Sequence, residues 1–229
     1  MAILSDKTIK DLCTGDYTHQ LSEIVGEVGD NVTIGRTLPW ATITNNGRPM
    51  IEPFVDHLVR QNDAGEKIIS YGLTSYGYDV RLKGEEVKIF TNANGGIVDP
   101  MSPSDEYFLD AKIHYNKKGM AYFILPPNSY ALASTVEYFV IPRNVSVICL
   151  GKSTYARSCA ITNVTPIEAG FNGEVVIEVS NGSTLPIKIY LDSGIAQFQF
   201  FRGDQECELS YADGNRKYQG QRGVTLSKV

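Results

Sequence analysis

Val145-Ser146-Val147-Ile148-Cys149-Leu150-Gly151-Lys152-Ser153-Thr154-Tyr155-Ala156-Arg157 is the stretch on which the fold turns. Its first six residues form a β run dominated by apolar side chains. Gly151 ends the run and leads a loop rich in backbone N–H and hydroxyl donors, a surface suited to phosphate oxygens. Further on, Gly173-Glu174-Val175-Val176-Ile177-Glu178 reads as a strand with one acid, Glu178, inside an apolar run. A carboxylate there is costly unless it is paired or does chemistry. The two segments bring a hydroxyl (Ser153), a guanidinium (Arg157) and an isolated carboxylate into one β-rich region.

Outward from this pair, short β runs alternate with turns. They are Tyr78–Leu82, Val87–Phe90, Gly119–Leu125, Tyr130–Glu137, Val145–Leu150, Val175–Val179, Ile187–Leu191 and Ile195–Phe201. Asn94-Gly95, Pro126-Pro127-Asn128 and Asn181-Gly182-Ser183 fall between them as turns. Regular β-α-β alternation is missing, which disfavours a Rossmann sheet and leaves an all-β barrel or jelly roll. One short helix precedes this region: Ser5 caps Asp6–Cys13, with Ile9 and Leu12 on one face. Residues 21–48 are broken by glycine, proline and asparagine. Trp40–Thr44 reads as a hairpin strand there, with Asn46-Gly47 as its turn.

The chain has 229 residues and a formal net charge of −5. Without a Pro/Ser-rich or charged linker, one domain is expected. The acidic balance argues against a nucleic-acid coat but leaves room for a local basic pocket. A membrane-length apolar run and a signal-peptide core are both missing. Cys13, Cys149, Cys159 and Cys207 are scattered and read as reduced, mostly buried thiols of a cytoplasmic protein. His19, His57 and His114 lack ligand spacing, and the HxE…PCxxC signature of zinc deaminases is missing, so no metal-ligand set is assigned.

Five strings carry a closer resemblance. Ser70-Tyr71-Gly72-Leu73-Thr74-Ser75-Tyr76-Gly77-Tyr78-Asp79-Val80-Arg81 and Gly151–Arg157 are the first two. Asn163 to Phe171, running on to Ile177-Glu178-Val179-Ser180-Asn181, is the third. Gln197-Phe198-Gln199-Phe200-Phe201 and Lys217-Tyr218-Gln219-Gly220-Gln221-Arg222-Gly223-Val224 complete the set. In this order they resemble the dCTP deaminases, relatives of the trimeric dUTPases.

The resemblance implies a dUTPase-like distorted β-barrel and a homotrimer with active sites shared between copies. It implies hydrolytic deamination of dCTP to dUTP and ammonia, with Mg²⁺ carried on the triphosphate and no zinc. It admits dTTP as an inhibitor. Rivals are a bifunctional deaminase/dUTPase releasing dUMP and pyrophosphate, a pure dUTPase, and a catalytically silent nucleotide sensor on the same fold.

The family's catalytic Glu, Ser and Arg fall on Glu178, Ser153 and Arg157. One carboxylate can take a proton from water and hand it to nitrogen. On the residues alone, Glu178 reads more readily as an outward-facing strand acid, Arg157 as a salt-bridge partner and Ser153 as a turn cap. The resemblance reverses that reading. It also assigns Lys152, Ser153, Thr154, Tyr155, Ala156 and Arg157 to the nucleotide, together with Val176 and Ile177. Glu168 falls where the family contacts the deoxyribose 3′-hydroxyl, within Thr-Pro-Ile-Glu-Ala-Gly-Phe, which is shorter by two residues than the commonest version. Phe171 falls on an aromatic position that is usually Trp. Tyr211 and Lys217 are expected to meet the phosphates and Gln221 the base or sugar, in a tail (211–229) that closes as a lid. Asp79 reads as architectural. Residues 21–48 resemble an insertion relative to the compact bacterial enzymes.

Overall fold

The protein is seen in a computed structural model that describes residues 2–15, 48–91, 96–163, 165–214 and 216–228. The expected hairpin of 40–47 and the Asn94-Gly95 turn lie outside the described residues, as does most of the 21–48 segment.

The amino-terminal third holds β1 (Ala2–Ile3), α1 (Asp6–Thr14), β2 (Ile51–Glu52), β3 (Leu58–Gln61), β4 (Lys67–Thr74) and β5 (Gly77–Phe90). The middle holds β6 (Phe108–Asp110), β7 (His114–Tyr115), β8 (Ala121–Leu125), β9 (Tyr130–Val140), β10 (Val145–Gly151) and the single turn α2 (Ser153–Ala156). The last third holds β11 (Ala160–Thr162), β12 (Pro166–Ile167), β13 (Asn172–Asn181), β14 (Ile187–Tyr190) and β15 (Gly194–Arg202). The all-β architecture with one short leading helix is the expected one.

Ser5 caps α1, its hydroxyl accepting from the Thr8 amide at 3.5 Å, and Gly15 ends the helix in a left-handed turn. Ile9 and Leu12 are fully buried, so the helix plugs the sheet with the face read from sequence.

The strands form a twelve-stranded antiparallel sheet with central path β11-β13-β9-β5-β15-β10-β12, and a three-stranded sheet β14-β8-β7. β5 is the hinge of the larger sheet. Its first half pairs with β4 and β15, and its second half with β9 and β6. The two β runs read from sequence, 78–82 and 87–90, are therefore one strand. The polar residues between them mark a register shift between Leu82 and Val87, not a break. A second shift lies between Glu174 and Val176 in β13. Such bulges bend strands and increase twist, which curls a large sheet upon itself.

Tyr78, Phe123, Phe139, Phe198 and Phe200 are fully buried inside the curl. The Phe139 and Phe198 rings pack at 5.0 Å. Each such side chain contributes about 1.5–3 kcal/mol relative to exposure. Two ion pairs interrupt this core. Arg81 donates to Glu137 from Nε (2.7 Å) and from its amide (3.0 Å). Lys152 pairs with Asp79, which also accepts from Gln197 Nε2 at 3.2 Å.

Candidate active site

β13 carries the central acid. Along it, Val175, Ile177 and Val179 are buried in the core, while Val176 and Glu178 face the opposite side, as strand alternation requires. That side opens into a cleft of about 800 Å³, walled by Phe90 of β5, Tyr130 and Leu132 of β9, the 98–108 segment, the turn 165–168 and the carboxy-terminal residues.

Glu178 lies half-buried in this cleft. Its Oε2 accepts from the Thr165 hydroxyl at 3.3 Å, and its carbonyl accepts from the Asn163 amide at 3.1 Å. Among the described residues no Lys, Arg or His forms an ion pair with it. Burial raises its carboxyl above the usual range, and its own backbone amide and Thr165 only partly oppose this. Burial, and then the Glu178 charge, push the Tyr130 phenol up and the Cys149 thiol up to about 12. Glu178 is thus a carboxylate with raised proton affinity in a semi-enclosed space, which suits proton transfer.

The sequence reading missed the wall opposite. Phe90 and Tyr130 stack at 4.9 Å, Phe108 meets Tyr130 edge-on at 5.8 Å, and Tyr107 stacks on Phe90 at 6.0 Å. They come from four separate elements, Phe90 from the end of β5, Tyr107 from the turn before β6, Phe108 from β6 and Tyr130 from the start of β9, so no local pattern joined them. The 98–108 segment that completes the wall has no periodicity to read.

Of the expected residues, Glu178, Glu168, Phe171, Val176, Tyr211 and Gln221 all line this cleft. Phe171 is buried and packs edge-on against Tyr211 at 5.6 Å. Glu168 opens a turn closed by its carbonyl and the Phe171 amide (3.1 Å). That turn needs Gly170, at φ +80°, because a Cβ there would come within 2.7 Å of Ser210 Oγ. Gln221 donates from Nε2 to the Glu174 carbonyl at 2.7 Å, and its Oε1 is buried without a partner among the described residues.

The Gly151–Arg157 loop does not reach this cleft within one chain. Ser153, Thr154, Ala156 and Arg157 are exposed, and Arg157 Nη1 donates to the Ser153 carbonyl at 3.3 Å. The Tyr155 side chain is 4% exposed, and its hydroxyl accepts from the Tyr190 amide at 2.9 Å. The Ile177 side chain faces the core, and Lys217 is exposed and lies off the cleft. Lys152 is neither solvated nor free, since it is mostly buried against Asp79, with Ser70 Oγ at 3.3 Å. Of the cysteines, Cys13 and Cys149 are buried, Cys207 is partly so and Cys159 is exposed, and all four are free thiols. Among the described residues no three His, Cys, Asp or Glu side chains gather as a ligand set, and no helix is long and apolar enough to cross a membrane.

Comparison with known proteins matches the chain to a family. A dCTP deaminase-like family model matches residues 39–203. The dCTP deaminase of Alcanivorax borkumensis is 53% identical over 190 residues, covering 83% of this chain and 96% of its own. That of Pseudomonas syringae pv. syringae is 54% identical over 180 residues, covering 79% of this chain and 91% of its own. Among solved structures, the 2′-deoxycytidine 5′-triphosphate deaminase of Agrobacterium tumefaciens aligns with a TM-score of 0.47 at 16% identity, over 88% of this chain and 48% of that one.

Proposed function

The chain belongs to the dCTP deaminase-like family, and on that premise we propose that it hydrolyses dCTP to dUTP and ammonia in the cytoplasm. The observation that carries this reading is Glu178. It is a cleft carboxylate whose proton affinity is raised by burial and which, among the described residues, has no cation in ion-pair contact.

In the proposed reaction, Glu178 takes a proton from water as the oxygen adds to C4 of cytosine. It passes that proton to N3, giving a tetrahedral intermediate that bears a hydroxyl and an amine. The carboxylate then takes the hydroxyl proton and delivers it to the amine. The C4–N bond breaks, C4=O forms and ammonia leaves. A zinc ion has no part in this scheme. Mg²⁺ enters as part of the substrate, coordinated chiefly by phosphate oxygens and water.

Ser153 and Arg157 orient the water and stabilise the developing charge. Because both are exposed and lie outside the cleft of their own chain, this assignment calls for a loop delivered by a second copy, in a homotrimer with shared sites. Thr154 and Ala156 bind in the same loop. Tyr155 and Ile177 contribute through their main chain, since their side chains are in the core. Lys152 shapes the loop through Asp79. Glu168 takes the 3′-hydroxyl, Phe171 and Val176 wall the nucleoside, and Gln221 reads the base or sugar with its unpartnered Oε1. Tyr211 takes the phosphates, Lys217, off the cleft in this conformation, joins it when the carboxy-terminal lid closes on the nucleotide, and dTTP competes for the same cleft.

Incubation with dCTP and, separately, with dUTP tests the activity. Ammonia with dUTP and no pyrophosphate is the expected outcome. Pyrophosphate released one-to-one with ammonia makes the enzyme bifunctional. Turnover of dUTP alone makes it a dUTPase, and binding without turnover makes it a sensor.

A further inference from the structure

Two carboxylates outside the proposed chemistry hold the end of the chain. Glu174, near the start of β13, is 3% exposed. Its Oε2 accepts from the Gly223 amide at 2.7 Å, and its Oε1 lies 3.5 Å from Lys83 Nζ and 3.6 Å from Arg222 Nη1. The Glu174 backbone is engaged too. Its amide donates to the Gln221 carbonyl at 3.0 Å, and its carbonyl accepts from Gln221 Nε2. From β5, Glu86 Oε2 accepts from the Val224 amide at 3.0 Å.

Between these acids passes Gly223, in a left-handed conformation at φ +66°, where a Cβ would come within 2.6 Å of Glu86 Oε2. Arg222 closes the seam by lying over the Tyr138 ring, 4.4 Å from its centroid. Immediately beyond the pinned residues, Thr225, Leu226 and Ser227 line the cleft that contains Glu178. The acids grip consecutive main-chain amides, so they set the path of the strap. Hydrogen bonds to ionised acceptors are the stronger kind.

We propose that Glu174 and Glu86 are positioning residues, a two-carboxylate latch that seats residues 221–224 and thereby fixes Gln221 and residues 225–227 over the nucleotide. The proposal rests on the reading of this cleft as the nucleotide site. Ordering a strap costs conformational entropy. A latch that settles this cost before the nucleotide arrives improves affinity without touching the reacting atoms. Its loss therefore belongs in KM more than in kcat.

The test uses full-length Glu86→Ala, Glu174→Ala, Gly223→Ala and the Glu86→Ala/Gly223→Ala double variant. Hydrogen exchange at the amides of residues 222–224 is read without nucleotide, and KM and kcat are read with dCTP. Each single variant is expected to speed exchange and to raise KM roughly tenfold, the scale of one hydrogen bond to a charged group, while kcat stays within about threefold. The double variant should be little worse than the worse single one, because both changes act through one strap. Glu86 is partly exposed and Gly223 lies on the strap itself, so these variants carry the test even if Glu174→Ala fails to fold. Unchanged exchange in both overturns the latch. Faster exchange with an unchanged KM overturns its positioning role. If the wild type does not deaminate dCTP, the functional reading fails, and the exchange arm alone still upholds or refutes the latch.

Discussion

Glu174 and Glu178 share one strand, and their surroundings are opposite. Glu174 is saturated: one oxygen takes a backbone amide, and the other faces an ammonium and a guanidinium. Glu178 has one hydroxyl partner and no cation in contact among the described residues, and burial raises its proton affinity. A carboxylate spent on architecture has its oxygens taken up by donors. One available for proton transfer is left under-solvated. Glu137 with Arg81, and Asp79 with Lys152, are likewise paired, although burial still outweighs Arg81 and raises the Glu137 carboxyl.

The comparison breaks most visibly at Lys152. If this lysine is architectural, Lys152→Met strands Asp79 as a buried, unpaired charge and costs about 3 kcal/mol of stability, read by urea unfolding. A variant that keeps full stability and only raises the KM for dCTP would return Lys152 to the phosphates.

Next in size is the effect of Thr165→Val. The working form of Glu178 is the carboxylate, so activity should rise with pH through its raised pKa and then level off. The Thr165 hydrogen bond favours the carboxylate and holds the pKa down. Its removal raises the pKa further, and the acid limb of kcat/KM should move to higher pH. A limb that stays in place would show that another group sets it.

The smallest effect is the control. Asp110 pairs with Lys88 at 2.7 Å, but its side chain is 81% exposed. Asp110→Ala should cost under about 1 kcal/mol and leave kinetics unchanged. A larger loss would mean that pairing alone, without burial, makes a carboxylate architectural.

Local patterns carried much of this into the sequence. The run 145–150, the strand that carries Glu178 and the Ser5 cap depend on neighbours in the chain, and each appears where it was read. Lys152 was unreadable because its partner, Asp79, lies on a distant strand that only the sheet brings alongside. The continuity of β5 was hidden because its bulge places polar residues where a strand appears to stop. The role of Glu174 was invisible for the same reason as its contacts, which come from residues 221–223 and from Lys83. The five motifs located Glu178, Phe171, Val176 and Gln221 in one cleft before any geometry was known. They gave no sign that Ser153 and Arg157 stand outside that cleft in a single chain.

The proton-shuttle role of Glu178 is tested most directly by Glu178→Gln, which keeps the shape of the side chain and removes its basicity. Ammonia release from dCTP at saturating substrate should fall by about 10²–10⁴-fold, while dCTP binding, read by calorimetry, stays within a few-fold of wild type. Turnover near the wild-type rate in that variant would contradict the account.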